Sequence, residues 1–129
     1  MRLRRDVRDW VAKAEEDFAV IQALARRRRH ALNDAICFHA QQCAEKYLKA
    51  LLTRERTVFP KTHDLLDLLD LAQGCDATLA LLRPYLEYLQ PYAVNLRYPG
   101  EFATRTEAKR SARIIAHVRE ILQQHLRRS

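Results

Sequence analysis

Glycine occurs only 2 times and proline only 4 times in 129 residues. So few backbone-freeing and helix-breaking residues exclude a turn-rich all-β chain and leave long helices open nearly everywhere. Cysteine is scarce as well. Cys37, Cys43 and Cys75 make an odd count without a CxxC pair, which argues against a disulfide framework and for small buried residues with free thiols. No apolar stretch reaches the roughly 18 residues that a membrane span requires. The opening MRLRRDVRDW is charged throughout and lacks the apolar segment of a secretory signal. A soluble, cytoplasmic protein is expected. There is no glycine-rich phosphate loop. His30, His39, His63, His117 and His125 form neither an HExxH motif nor a Cys/His cluster with ligand spacing. Neither a cofactor nor a metal is therefore expected.

What is present is charge and helical rhythm. Hydrophobic residues are 48% and charged residues 30% of the chain, a globular balance at a length that suits one domain, 1–129, with a real core. The formal net charge is +7, with 18 Arg and 5 Lys. That excess favours anionic partners such as RNA, nucleotides or acidic proteins.

Apolar residues recur every three or four positions from end to end. Val7, Trp10, Ala14, Phe18, Ile21 and Ala25 mark a first helix that runs into Arg26–Arg29 and His30. A second spans about Asn33 to Arg54. Pro60 breaks it, and Thr62 offers an N-cap for a short third helix, DLLDLLDLA, that stops at Gly74. Its Asp64, Asp67 and Asp70 read as a solvated face. A fourth helix begins near Asp76, and Leu79, Leu82, Leu86, Leu89, Ala93 and Leu96 carry its rhythm through Pro84 and Pro91. The expectation is one kinked helix that ends at Tyr98-Pro99-Gly100. Thr104-Arg-Thr-Glu107 is a capping box that opens the last helix. Four long amphipathic helices with short links pack most simply as an all-α, up-and-down four-helix bundle, with the short third helix as an addition.

The second helix has more than one kind of face. At 100° per residue Ile36, Ala40, Cys43, Tyr47 and Leu51 form its core stripe. His39, Gln42, Lys46 and Lys49 stack beside it, while Gln41 and Glu45 fall on a third face. The second stripe is either a solvated flank with snorkelling lysines or one wall of a site. The fourth helix carries a comparable line, Tyr85, Tyr88, Tyr92 and Asn95, which reads as core or as a partner interface. Arg97 follows, either complementing the helix dipole or available to a ligand. The Arg26–Arg29 run becomes an RNA-facing patch only if the fold brings it near Arg2, Arg4 and Arg5.

Taken in order, WVAKAEEDF, FHAQQCAEKYLKALL, FPKTHDLLDLL and YAVNLRYPG resemble the HEPN domain family over almost the whole chain. The resemblance implies a helical bundle, usually a homodimer, often paired with a minimal nucleotidyltransferase in a toxin–antitoxin-like arrangement. Members bind nucleotides or substrates for that enzyme, and many others are metal-independent RNases. The nucleases carry an Arg followed within a few residues by a His. Arg97 matches the Arg, but Tyr98 to Thr104 contain no His. General acid–base chemistry needs a group that titrates near neutral pH, so no catalytic residue is assigned. The leading expectation is a non-catalytic nucleotide- or RNA-binding module with Arg97, Tyr98, His63, His39, Gln42 and Lys46 in one groove. The alternatives are an RNase that uses Arg97 with His63 or His39, and a purely structural dimeric protein.

Overall fold

The computed structural model describes residues 2–27, 29–94 and 100–128, the side chain of His30 excepted. It contains α1 (Arg5–Ala25), α2 (Asn33–Arg54), α3 (Leu65–Cys75), α4 (Arg83–Leu89) and α5 (Arg105–Arg127). No strand occurs among the described residues. The protein is an all-α bundle, as its periodicity requires.

Bonds between helix ends show how the helices run. Arg4, just before α1, donates to the carbonyls of Thr53 and Arg54 at the end of α2, so α1 and α2 are antiparallel. Asn33 at the start of α2 donates to the carbonyl of Ala103, just ahead of α5, at 3.1 Å. Arg54 at the other end donates to the carbonyls of His125 and Arg128. Helices α2 and α5 therefore run in the same direction, as alternate members of an up-and-down bundle do.

The α2 helix is the central post. Its core stripe is buried as expected, and so are Cys37, Ala44, Leu48, Ala50 and Leu52. Small residues among them let neighbouring helices approach closely. Gln41, Glu45 and Lys49, which lie off the core stripe, are buried as well. The reason is the segment before α3, which folds back over that side of α2. Gln41 Nε2 donates to the carbonyl of His63 at 2.9 Å, and Lys49 Nζ donates to Glu45 at 3.0 Å. The Lys49 ammonium also lies 5.5 Å from the Trp10 ring centre and 6.0 Å from that of Phe59, an arrangement in which the ring faces attract the cation. No buried side-chain nitrogen or oxygen among the described residues lacks a hydrogen-bond partner.

Two helix boundaries differ from expectation. Asp64, not Thr62, caps α3: its carboxylate accepts from the Leu66 and Asp67 amides, while the Thr62 hydroxyl accepts from the Asp64 amide. The side chain assigned to a solvated face is thus a cap, and the helix runs to Cys75. The expected fourth helix is a composite. Residues Ala77–Leu82 and Gln90–Ala93 are 3-10 turns on either side of the seven-residue α4. Proline explains it: Pro84 and Pro91 each remove an amide donor and crowd the preceding turn, so each sits in the first turn of a new segment. Val94 is already extended. Leu79, Leu82, Leu86 and Leu89 still face the core. The expected continuation through Asn95, Leu96, Arg97 and Tyr98 lies outside the described residues. At α5 the capping box of Thr104 and Glu107 is formed as anticipated.

Candidate functional site

On α1, Ala14, Asp17 and Ile21 are buried at spacings of three and four, so a carboxylate occupies a core-facing position. A charge there requires partners, and α2 supplies them. His39 Nδ1 lies 2.8 Å from one oxygen of Asp17, and Lys46 Nζ lies 2.6 Å from the other. His39 and Lys46 are seven residues apart, two helical turns, and so share a face. Burial pushes the Asp17 carboxyl upward, but the bonds from His39 and Lys46 together outweigh it and leave the group below its ordinary value. Asp17 is therefore ionised at neutral pH.

The other side of α2 repeats the arrangement. His63 Nδ1 lies 2.8 Å from Glu45. The Glu45 side chain is only 4% exposed and that of His63 is 71% exposed. In each pair a nearly buried carboxylate holds Nδ1. That bond favours the Nδ1–H tautomer of a neutral ring, with the lone pair on Nε2. No protein hydrogen bond forms at Nε2 of either ring among the described residues.

Gln42 belongs to the His63 half. Its Nε2 donates to Gln41 Oε1 at 2.7 Å, and Gln41 in turn donates to the His63 carbonyl. The polar belt across α2 is thus in two hydrogen-bonded pieces, His39 and Lys46 with Asp17, and Gln42 and His63 through Gln41. They do not form a single cluster, because His39 and Lys46 converge on Asp17 while His63 belongs to Glu45. Arg97 and Tyr98 lie outside the described residues. Glu45, not the neighbouring Asp64, orients the His63 imidazole.

Sequence reasoning missed Asp17 altogether. The signal was available: Asp17 lies three residues after Ala14 and four before Ile21, in the helix's own period. Instead Trp10, Phe18 and Ala25 were expected to face the core. Trp10 and Phe18 are half-buried and Ala25 is exposed.

A second polar group is structural. Arg119 makes two bonds to Glu15, at 2.7 and 2.6 Å, and its guanidinium lies 4.2 Å from the Phe18 ring centre. The Tyr47 hydroxyl donates to Glu15 and accepts from Gln123 at 3.0 Å. The Arg119 bond holds the Glu15 carboxyl below the usual carboxylate range, and burial pushes the Tyr47 hydroxyl up. Burial also raises Cys43, which stands near Asp17 and Glu15, to a value that excludes a reactive thiolate.

The tyrosine line makes contacts within the chain. Tyr85 packs edge-on against His117, the Arg110 guanidinium lies 4.6 Å from the Tyr88 ring centre, and the Tyr92 hydroxyl donates to Glu107 at 2.6 Å. Tyr92 is buried. The basic run also ends up elsewhere than the sequence allowed for. Helix α1 has 21 residues, about 31 Å at 1.5 Å per residue, and it separates Arg26, Arg27 and Arg29 from Arg2, Arg4 and Arg5. Among the described residues no group of three or more His, Cys, Asp or Glu side chains is placed to hold a metal ion. No helix there is long and apolar enough to cross a membrane.

A family model for the HEPN domain matches residues 7–126. The crystal structure of an archaeal HEPN homologue superposes with a TM-score of 0.72 at 20% sequence identity, covering 97% of this chain and 100% of that one. No curated protein matches this sequence.

Proposed function

This chain belongs to the HEPN domain family, and from that premise we propose that it is a binding module for a nucleotide or RNA. One observation supports the reading: the polar belt of α2, where two imidazoles fixed at Nδ1 stand on either side of Gln42 with Lys46 beside them. Protonated rings there would donate from Nε2 to phosphate oxygens, bonds stronger than neutral ones. The +7 net charge steers such ligands toward the protein. Arg97 and Tyr98 complete the site on the strength of the family resemblance. The module acts as a homodimer and as the partner of a minimal nucleotidyltransferase. The test is a thermal-shift screen with nucleotides and short RNAs, since a ligand that binds only the native state raises the midpoint. The response should fall in Gln42→Ala and in His63→Ala. A response unchanged in both variants would remove the belt from the site.

The carboxylate–imidazole pairs favour a second reading, a metal-independent RNase. An imidazole oriented by a carboxylate at Nδ1 can take or give a proton at Nε2. Labelled single-stranded RNA, incubated with and without chelator, separates the two. Intact RNA favours the binding module. Cleavage that survives chelation and disappears in His63→Ala or Arg97→Ala favours the nuclease.

A further inference from the structure

Phe38 has a use on α2 that the core does not explain. It is half-buried, yet among the described residues it is not one of the partly buried apolar side chains packed against the core. Its ring meets that of His39, with the centres 5.4 Å apart and the planes at 78°. An edge-on contact of this kind occupies at most one face of the phenyl ring.

Position ties Phe38 to the polar belt. It lies one turn before Gln42, about 6 Å along the helix axis and about 40° around it. Lys46 and His39 lie to the same side, about 80° and 100° away, and these two hold Asp17. Glu45, which holds His63, lies about 20° to the other side. An aromatic ring therefore stands at the end of the belt nearest the start of α2, between the directions of its two pieces. Helix formation does not call for it, since Leu or Ala favours a helix more than Phe does. Among imidazoles, amides and an ammonium the ring also leaves apolar surface in water. What it offers is a flat platform on which another flat ring can stack.

We infer that Phe38 is the base-holding element of the belt: an unpaired nucleobase stacks on its ring while the attached phosphate meets the donors of the belt. The inference rests on the binding module proposed above. It adds what polar groups cannot do by themselves, which is to tell a nucleotide from any other anion. It also narrows the ligand. In a duplex both faces of a base are already stacked on neighbours, so the base comes from a free nucleotide or from an unpaired strand. Every base has a π-face, so this contact carries little sequence preference.

Calorimetric titration of the full chain with AMP, a short oligoadenylate, the same strand paired with oligouridylate, and tripolyphosphate tests it. The last has charge and no base. Phe38→Leu keeps apolar bulk and helix propensity, so its circular dichroism should match that of the native protein. It should weaken binding of AMP and oligoadenylate about fivefold or more, the scale on which one stacked base contributes. Binding of tripolyphosphate should stay as in the native protein, and the duplex should bind more weakly than the strand. Phe38→Trp should bind as the native protein does, and its added fluorescence should be quenched by oligoadenylate and not by tripolyphosphate. Trp10, the one native tryptophan, supplies the baseline. Binding of AMP makes a free nucleotide the source of the base, and binding of the strand alone makes it RNA; either result supports the inference. It is overturned if tripolyphosphate binding falls in parallel in Phe38→Leu, or if the duplex binds as tightly as the strand. Native affinity for AMP and oligoadenylate in Phe38→Leu would remove Phe38 and leave the binding module standing. A native protein that binds neither would remove both.

Discussion

Asp17 and His39 meet at 2.8 Å across the α1–α2 interface, the carboxylate 8% exposed and the imidazole 28% exposed. The same carboxylate holds Lys46 through its second oxygen. One buried negative charge therefore positions two side chains that the sequence had marked as site candidates, and it does so from a helix on which no candidate had been placed.

Replacing Asp17 with Asn keeps the shape and removes the charge. Lys46 and His39 then lose their anionic partner in a half-buried setting, and stability at neutral pH should drop by about 2–3 kcal/mol. Urea denaturation measures this. The carboxyl lies below its ordinary value when folded, so its contribution is present above the unfolded pKa and is lost as pH falls through the folded one. The difference between native and variant protein should therefore narrow in strong acid. A constant difference would mean that the charge is not its source.

Tyr47→Phe removes a hydroxyl that joins Glu15 to Gln123. Glu15 keeps Arg119, so the loss should be modest, about 1–2 kcal/mol. Chemical denaturation should show a lower midpoint with an unchanged slope.

Stability should decline as pH drops from about 7 toward 5, and His125 contributes to that decline. Burial depresses its pKa below 6.5, aided by the positive charge of Arg128 and opposed by Asp76. Between the two pKa values the unfolded chain binds the extra proton, so acid favours unfolding. His125→Gln should flatten the dependence of melting temperature on pH over this interval. An unchanged slope would assign the effect to other groups.

The role of Arg97 rests on the family resemblance. Arg97→Ala should leave the melting temperature within a few degrees, in line with a loss below about 1 kcal/mol. It should abolish the response to nucleotide or RNA. Arg97→Lys should restore only part of it, because Lys keeps the charge and loses the planar fork. An Ala variant that melts much lower and binds normally would make Arg97 structural.

A homodimer is expected in sedimentation at micromolar concentration. Tyr85 and Tyr88, only half-buried against α5, offer part of its surface. Val94 and Phe102 are exposed large apolar side chains, and Phe102→Asp should shift the protein toward monomer. Dissociation unaffected by that change would place the interface elsewhere.

Periodicity made the core stripes of α2 and α5 legible, because apolar side chains at spacings of three and four have one way to be buried. The capping box at Thr104 was equally readable, being a local pattern. What escaped was long-range. Glu45 and Lys49 have the i and i+4 spacing of an ordinary helix pair, and nothing nearby in sequence says that residues 59–64 will cover them. Asp17 read as one acid in the stretch EEDF, and its partners lie 22 and 29 positions away. The composite around α4 was half legible: its leucines kept their rhythm, but two prolines changed the kind of helix underneath them.

Glu107 has a position that bears on how the protein opens. One carboxylate closes the capping box of α5 and also accepts the Tyr92 hydroxyl from the last turn of the preceding helical segment. The first turn of α5 and the 90–93 turn therefore share an anchor and cannot fray separately. Their amides should exchange with solvent as one cooperative unit, and Glu107→Ala should raise both exchange rates together.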